Sequence, residues 1–197
     1  MDFVATEQKY KTNIEEYIIV LEDIVSEDLC DRILLEYKDS GEWDHPVVAD
    51  HSVDLTLRNA SIIPLSKPSC IEKNPILRKS LENEIFSLSE FASIKYNQMF
   101  PESYFSKDTG YELLRYEVGQ YYVQHTDSYR LHPRTVSCSF SLNDDYEGGE
   151  FAFFDRKLKY KLRKGSAILF PSNFMFPHEI MPILKGTRYS IITWFIS

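Results

Sequence analysis

Cysteine is scarce in this 197-residue chain, and Cys30, Cys70 and Cys138 form no C-x-x-C pair. Three scattered cysteines are too few for a disulfide scaffold and fit no zinc-knuckle spacing, so a reducing, cytoplasmic setting is expected and the three read as small hydrophobes. An excess of basic charge is missing too. Lys and Arg number 22 against 30 Asp and Glu, for a net charge of −8, and they are spread along the chain. That excludes the electrostatic footprint of a nucleic-acid or anionic-membrane partner. No apolar run approaches the roughly 20 residues a membrane span requires, and residues 1–17 are too charged for an export signal. Internal repeats and low-complexity segments are absent as well. What remains is a chain that is 43% hydrophobic and 14% aromatic, enough for one well-buried core and one domain spanning 1–197.

The first half reads as helices with a few strands. YIIVL at 17–21 is a short buried strand, and Ser26 is an N-cap for a helix whose Leu29, Ile33 and Tyr37 recur at four-residue spacing up to Gly41. DLTLRNASIIPL at 54–65 is strand-like. Asn74-Pro75 opens a long helix with Leu77, Leu81, Ile85, Leu88 and Ala92 on one stripe, ending near Asn97. From Tyr111 the texture changes to short aromatic and β-branched runs between polar turns: YELLRY, QYYVQHTD, TVSCSFSLN, GEFAFF, SAILF and RYSIITWFI. DDYEGG at 144–149 has the chemistry of a hairpin turn, with Gly148-Gly149 supplying positive φ, and Arg163-Lys164-Gly165 is a second turn. The predicted fold class is α+β, mainly β: a support region of helices and strands over 1–110 backing a sandwich or jelly roll over 111–197.

Within YEVGQYYVQHTD, His125 and Asp127 are two apart, so a strand would turn both to one face. Alone this pair is weak evidence. His178 follows the apolar run SAILFP, and ten residues later Arg188 opens RYSIITWFI, the most apolar strand of the chain. A charge there requires an anionic partner. Two imidazoles and one carboxylate form the facial triad suited to Fe(II), which leaves three coordination positions open. A guanidinium at Arg188 would then bind the distal carboxylate of 2-oxoglutarate through a two-pronged, charge-assisted contact while the 2-oxo acid end chelates the metal.

On these residues the chain resembles the Fe(II)/2-oxoglutarate dioxygenase superfamily, within it the prolyl 4-hydroxylase group. Tyr116, Gly119, Tyr122, His125 and Asp127 match Y-x-x-G-x-x-Y-x-x-H-x-D; Arg134, the LNDDYEGGE segment, His178, Gly186, Arg188 and Trp194 follow in the family's order. The resemblance covers about 111–195 and implies a double-stranded β-helix. It implies Fe(II), 2-oxoglutarate and O2 as cofactors, with ascorbate in support, and hydroxylation of a C–H bond with release of succinate and CO2. By the same resemblance Tyr116 hydrogen-bonds 2-oxoglutarate beside Arg188, Tyr122 and Arg134 face the substrate groove, and Trp194 packs behind the cosubstrate pocket. A peptide or protein proline is the expected substrate, with Arg58 in the 51–66 segment contacting it and that segment closing over it; a free amino acid or other small molecule is the alternative. A non-catalytic jelly-roll binding module is a further one, set against a ligand set that is complete. Trp194 stands where nucleic-acid demethylases of the class place a second Arg. Ser141 replaces an aromatic in the expected cosubstrate wall, and Arg188 replaces the Lys of collagen-type enzymes.

Simpler readings stand beside each of these. Arg188 could pair with Glu179; Tyr116 and Tyr122 could be plain core aromatics; Arg134 could be a solvated charge. His45, His51 and His132 lie in polar loops and read as solvated.

Overall fold

The computed structural model describes residues 11–47, 52–66 and 74–197. His51, Cys70 and the first ten residues therefore lie outside the described residues. A 3-10 turn at Ile14–Tyr17 leads into strand β1 (Ile19–Leu21), so the strand expected at 17–21 starts two residues late, Tyr17 being spent on the turn. Helix α1 (Glu27–Tyr37) follows, with the Ser26 hydroxyl accepting the Leu29 N–H at 3.2 Å as its cap. The single strand expected over 54–65 is two. Residues 55–57 turn, and β2 (Arg58–Asn59) and β3 (Ser61–Pro64) join different sheets on either side of Ala60. Helix α2 (Pro75–Met99) is followed by β4 (Lys107–Asp108), β5 (Glu112–Tyr116), β6 (Tyr121–His125), β7 (Val136–Ser141) and β8 (Glu147–Gly148). The chain ends with β9 (Phe151–Phe153), β10 (Leu158–Tyr160), β11 (Ala167–Pro171), β12 (His178–Ile180), β13 (Ile183–Lys185) and β14 (Arg188–Ile196).

The larger sheet runs β1-β11-β7-β14-β5-β3, with β4 paired to the far end of β14; the smaller runs β10-β9-β12-β6-β2, and β8 pairs with β13. All pairings are antiparallel, and the sheets do not close into a barrel. This is the double-stranded β-helix. Period-two alternation distributes side chains between two cores. On β7, Val136, Cys138 and Phe140 join Leu29, Ile33, Leu81 and Ile85 of the helices. On β11 and β9, Ile168, Phe170, Phe151 and Phe153 fill the space between the sheets. The larger sheet is thus covered on both faces, which is why β7 is buried at every position.

Segment 144–149 is no hairpin turn, because β7 and β9 sit in different sheets: the chain crosses between them, and β8 within the crossing pairs with β13. Gly148 is still required, since it has φ of 76° and an added Cβ would lie 2.2 Å from the Pro182 carbonyl oxygen. The turn expected at Arg163-Lys164-Gly165 is present. On α2, Leu81, Ile85 and Ala92 are buried as the stripe requires, but Leu77 is exposed. The first turn of α2 packs on the end of α1, and Arg78 points inward instead. Its guanidinium bonds Glu36 at 2.7 Å and Glu42 at 2.7 and 2.9 Å, and lies 4.6 Å from the Tyr37 ring centre. Arg78→Met leaves those buried carboxylates without their cation and is expected to cost about 3–5 kcal/mol in urea unfolding. A change below about 0.5 kcal/mol would show the network to be idle. Among the described residues no helix is long and apolar enough to cross a membrane.

Candidate active site

β6 and β12 are neighbours in the smaller sheet, and their pairing sets His125 directly opposite His178. Between that pair and the next, Tyr122 with Ile180, β6 uses three residues where β12 uses two. The extra residue is a bulge, and it turns Tyr122 and His125 to one face although an odd spacing would separate them. Their rings stack with centres 3.5 Å apart at 17°.

Asp127 lies two residues past the end of β6, so its place beside His125 is made by the chain leaving the strand and not by strand alternation. Its carboxylate is 3.3 Å from His125 Nε2 and 3.6 Å from His178 Nε2, and one ligand atom from each of the three residues lies within 4.8 Å of the others. Each imidazole is fixed the same way: Nδ1 faces the carbonyl oxygen two residues back, Val123 for His125 at 2.8 Å and Phe176 for His178 at 3.1 Å. A carbonyl only accepts, so Nδ1 carries the proton and Nε2 offers its lone pair to the centre. Burial, and after it the neighbouring His125, push His178 down to about 4, so it is neutral at physiological pH. Burial opposes ionisation of Asp127, yet the two histidines and Ser137 outweigh it and hold the carboxyl well below the usual range. A negative Asp127 oxygen and the neutral His178 nitrogen converge, protonation states that a divalent metal requires. Phe151, Phe153 and Phe170 surround the His178 ring, with centres 6.3, 5.5 and 4.6 Å away.

The cluster opens into a cavity of about 510 Å³ between the sheets. Across it, β14 pairs with β5 so that Arg188 stands opposite Tyr116. Arg188 is 2% exposed, donates from Nη1 to Ser190 Oγ at 3.1 Å, and has no carboxylate in salt-bridge contact among the described residues. Glu179, its alternative partner, is engaged by Arg156 at 2.7 and 3.0 Å. A buried guanidinium that lines a cavity with no carboxylate in contact is able to take an anionic ligand.

On the other side lie Arg58, Tyr122, Arg134 and Trp194. Arg134 donates from Nη1 to the Asp127 carbonyl at 3.1 Å and stacks 3.5 Å from the centre of the Trp194 ring, so it is not a solvated charge. Arg58 is buried, 5.0 Å from the Tyr122 ring centre, with Glu112 3.9 Å from its guanidinium. Burial raises the Tyr122 phenol to about 12, which keeps it a donor. Ser141 is buried but turned away from the cavity, its hydroxyl donating to the Asn143 carbonyl at 3.0 Å, so it forms no part of the wall. His45 is exposed, and His132 is exposed at the cavity rim. Sequence reasoning missed Ser137, Ser139 and Glu112. The serines were signalled by a serine at every second position of VSCSFS, next to the ligands.

A double-stranded β-helix here carries a His-Asp-His cluster that could hold a metal ion, opposite a buried arginine. Residues 111–196 match the family model of the 2OG-Fe(II) oxygenase superfamily. A PKHD-type hydroxylase of Idiomarina loihiensis is 31% identical over 86 residues, 41% of this chain and 38% of its own length. The match thus spans well under half of that relative. A prolyl hydroxylase from Trichoplax adhaerens, solved in complex with a hypoxia inducible factor oxygen degradation domain peptide fragment, superposes with TM-score 0.74 at 19% identity, over 91% of this chain and 83% of its own. A Pseudomonas putida prolyl-4-hydroxylase gives TM-score 0.67 at 21% identity, over 92% and 93%. The fold is the prolyl hydroxylase fold.

Proposed function

We propose that residues 1–197 act as one domain, with 1–110 supporting a catalytic core at 111–197, and that the protein is an Fe(II)- and 2-oxoglutarate-dependent prolyl 4-hydroxylase acting on peptidyl proline. The observation that carries this reading is the pairing of two unlike sites across one cavity: a two-His-one-carboxylate cluster on β6 and β12, and the uncompensated Arg188 on β14. In this reading His125, Asp127 and His178 hold the metal. The donor set fits Fe(II), being two neutral nitrogens and one anionic oxygen with their outer atoms already hydrogen-bonded. Bound iron supplies the chemistry that splits O2 between a C–H bond and 2-oxoglutarate, which leaves as succinate and CO2, with ascorbate as supporting reductant.

The chain's own residues supply position and exclusion. Arg188 takes the distal carboxylate of 2-oxoglutarate in a forked contact, with Tyr116 adding its hydroxyl and Ser190 steering the guanidinium. Phe151 and the other phenylalanines around His178 keep water from the metal side. Tyr122 and the free N–H groups of Arg134 and Arg58 point donors at the opposite end of the cavity, where carbonyl oxygens of a peptide would accept them. The likeness to a prolyl hydroxylase solved with a peptide fragment supports that choice of substrate.

Purified protein with Fe(II), 2-oxoglutarate and ascorbate is expected to add one oxygen atom to proline in a set of proline-containing peptides, read by mass spectrometry. Hydroxylation of free amino acids with none on peptides would move the assignment to a small-molecule hydroxylase. Absence of any metal binding would leave a jelly-roll binding module.

A further inference from the structure

We infer that Ser137 is a positioning residue that restricts Asp127 to one metal-facing oxygen and so keeps a coordination position open for cosubstrate or O2. The inference rests on the proposed reading of His125, Asp127 and His178 as metal ligands. Ser137 lies on the inner face of β7, is fully buried, and donates from Oγ to Asp127 Oδ2 at 2.6 Å. Its single hydroxyl proton is used there. In the 2.8 Å contact between Ser137 Oγ and Ser172 Oγ, Ser172 must therefore be the donor. The result is a directed chain from Ser172 to Ser137 to Asp127 Oδ2, in which each bond polarises the next.

The backbone holds this chain in place. The Ser172 N–H donates to Thr135 O at 3.0 Å, the Ser128 N–H donates to Ser172 O at 2.9 Å, and the Arg134 guanidinium caps the Asp127 carbonyl. Asp127 Oδ2 is thus engaged from the larger sheet and lies 3.6 Å from His178 Nε2, while Oδ1, 3.3 Å from His125 Nε2, is the oxygen that Ser137 leaves unbonded. A short hydrogen bond to one carboxylate oxygen disfavours chelation through both. Two imidazoles and one oxygen occupy three positions of six; a second oxygen would take a fourth and compete with the 2-oxo acid or O2. Ser137 also lowers the freedom of the Asp127 side chain, as outer partners of metal ligands do.

The test compares wild type, Ser137→Ala, Ser137→Thr and Ser172→Ala. Titration with Mn(II) and the visible spectrum of the Co(II)-loaded protein read the metal; 2-oxoglutarate affinity is measured on the Mn(II)-loaded protein. Ser137→Ala is expected to weaken Mn(II) binding about 10- to 100-fold, to alter the Co(II) bands and to weaken 2-oxoglutarate binding. Ser137→Thr should restore all three, and Ser172→Ala should shift them in the same direction by less. Unchanged Mn(II) affinity and Co(II) bands in Ser137→Ala would overturn the inference, as would a loss that Thr does not restore. Failure of wild type to bind either metal would overturn the ligand reading itself.

Discussion

Arg188→Met raises the apparent dissociation constant for 2-oxoglutarate about 100- to 10,000-fold and leaves thermal stability unchanged or higher. The two parts of this expectation come from one observation, a side chain 2% exposed and without a carboxylate in salt-bridge contact among the described residues. Two charge-assisted hydrogen bonds to the cosubstrate, each worth about 1.5–3 kcal/mol, sum to about 3–6 kcal/mol, and each 1.4 kcal/mol is roughly tenfold in affinity. Without the cosubstrate the same guanidinium is a buried charge held by a hydrogen bond to Ser190 and by the Tyr116 and Phe151 rings 5.5 and 5.2 Å away, so an unbranched apolar side chain of similar length relieves a desolvation cost. Binding to the Mn(II)-loaded protein and a melting curve read the two separately. A fall in stability with unchanged 2-oxoglutarate affinity would make Arg188 structural.

Asp127→Ala abolishes metal binding at micromolar Mn(II) and with it all turnover. The carboxylate contributes the only negative charge of the three-residue cluster, and it is buried. Outer partners of metal ligands are worth about 10- to 100-fold, so losing a charged ligand itself is expected to exceed about 100-fold. Far-ultraviolet circular dichroism should match wild type, since β6 ends before Asp127 and the strand pairing His125 with His178 does not include it. Retained Mn(II) binding in this variant would remove Asp127 from the ligand set.

Much of the site is legible in the sequence for a simple reason. Arg188 is a charge at the head of the apolar strand β14, and His178 follows the apolar strand β11, so both are conspicuous. What could not be read depends on pairing between distant segments. Tyr122 shares a face with His125 only because β6 carries a bulge against β12. The 144–149 segment has hairpin chemistry, but β7 finds its partners in β11 and β14, so the turn becomes a crossing between sheets.

Ser137 and Ser139 show the same limit from the opposite side. Alternation in VSCSFS by itself describes a half-buried strand with serines toward water. The helices cover the apolar face instead, and on the serine face Ser139 lines the cavity while Ser137 bonds Asp127. Leu77 is exposed and Arg78 turns inward because Glu36 of α1 and Glu42 beyond it offer two buried carboxylates at the start of α2. In each case the local pattern is obeyed and the partner decides what it means.

The most direct test is release of succinate from 2-oxoglutarate by the Fe(II)-loaded protein in air, with the full set of proline peptides present. The account predicts succinate formation that depends on Fe(II), is lost in Asp127→Ala and is recovered in Arg188→Met only at greatly raised 2-oxoglutarate. No succinate from wild type with any peptide, or equal succinate from Asp127→Ala, would contradict it.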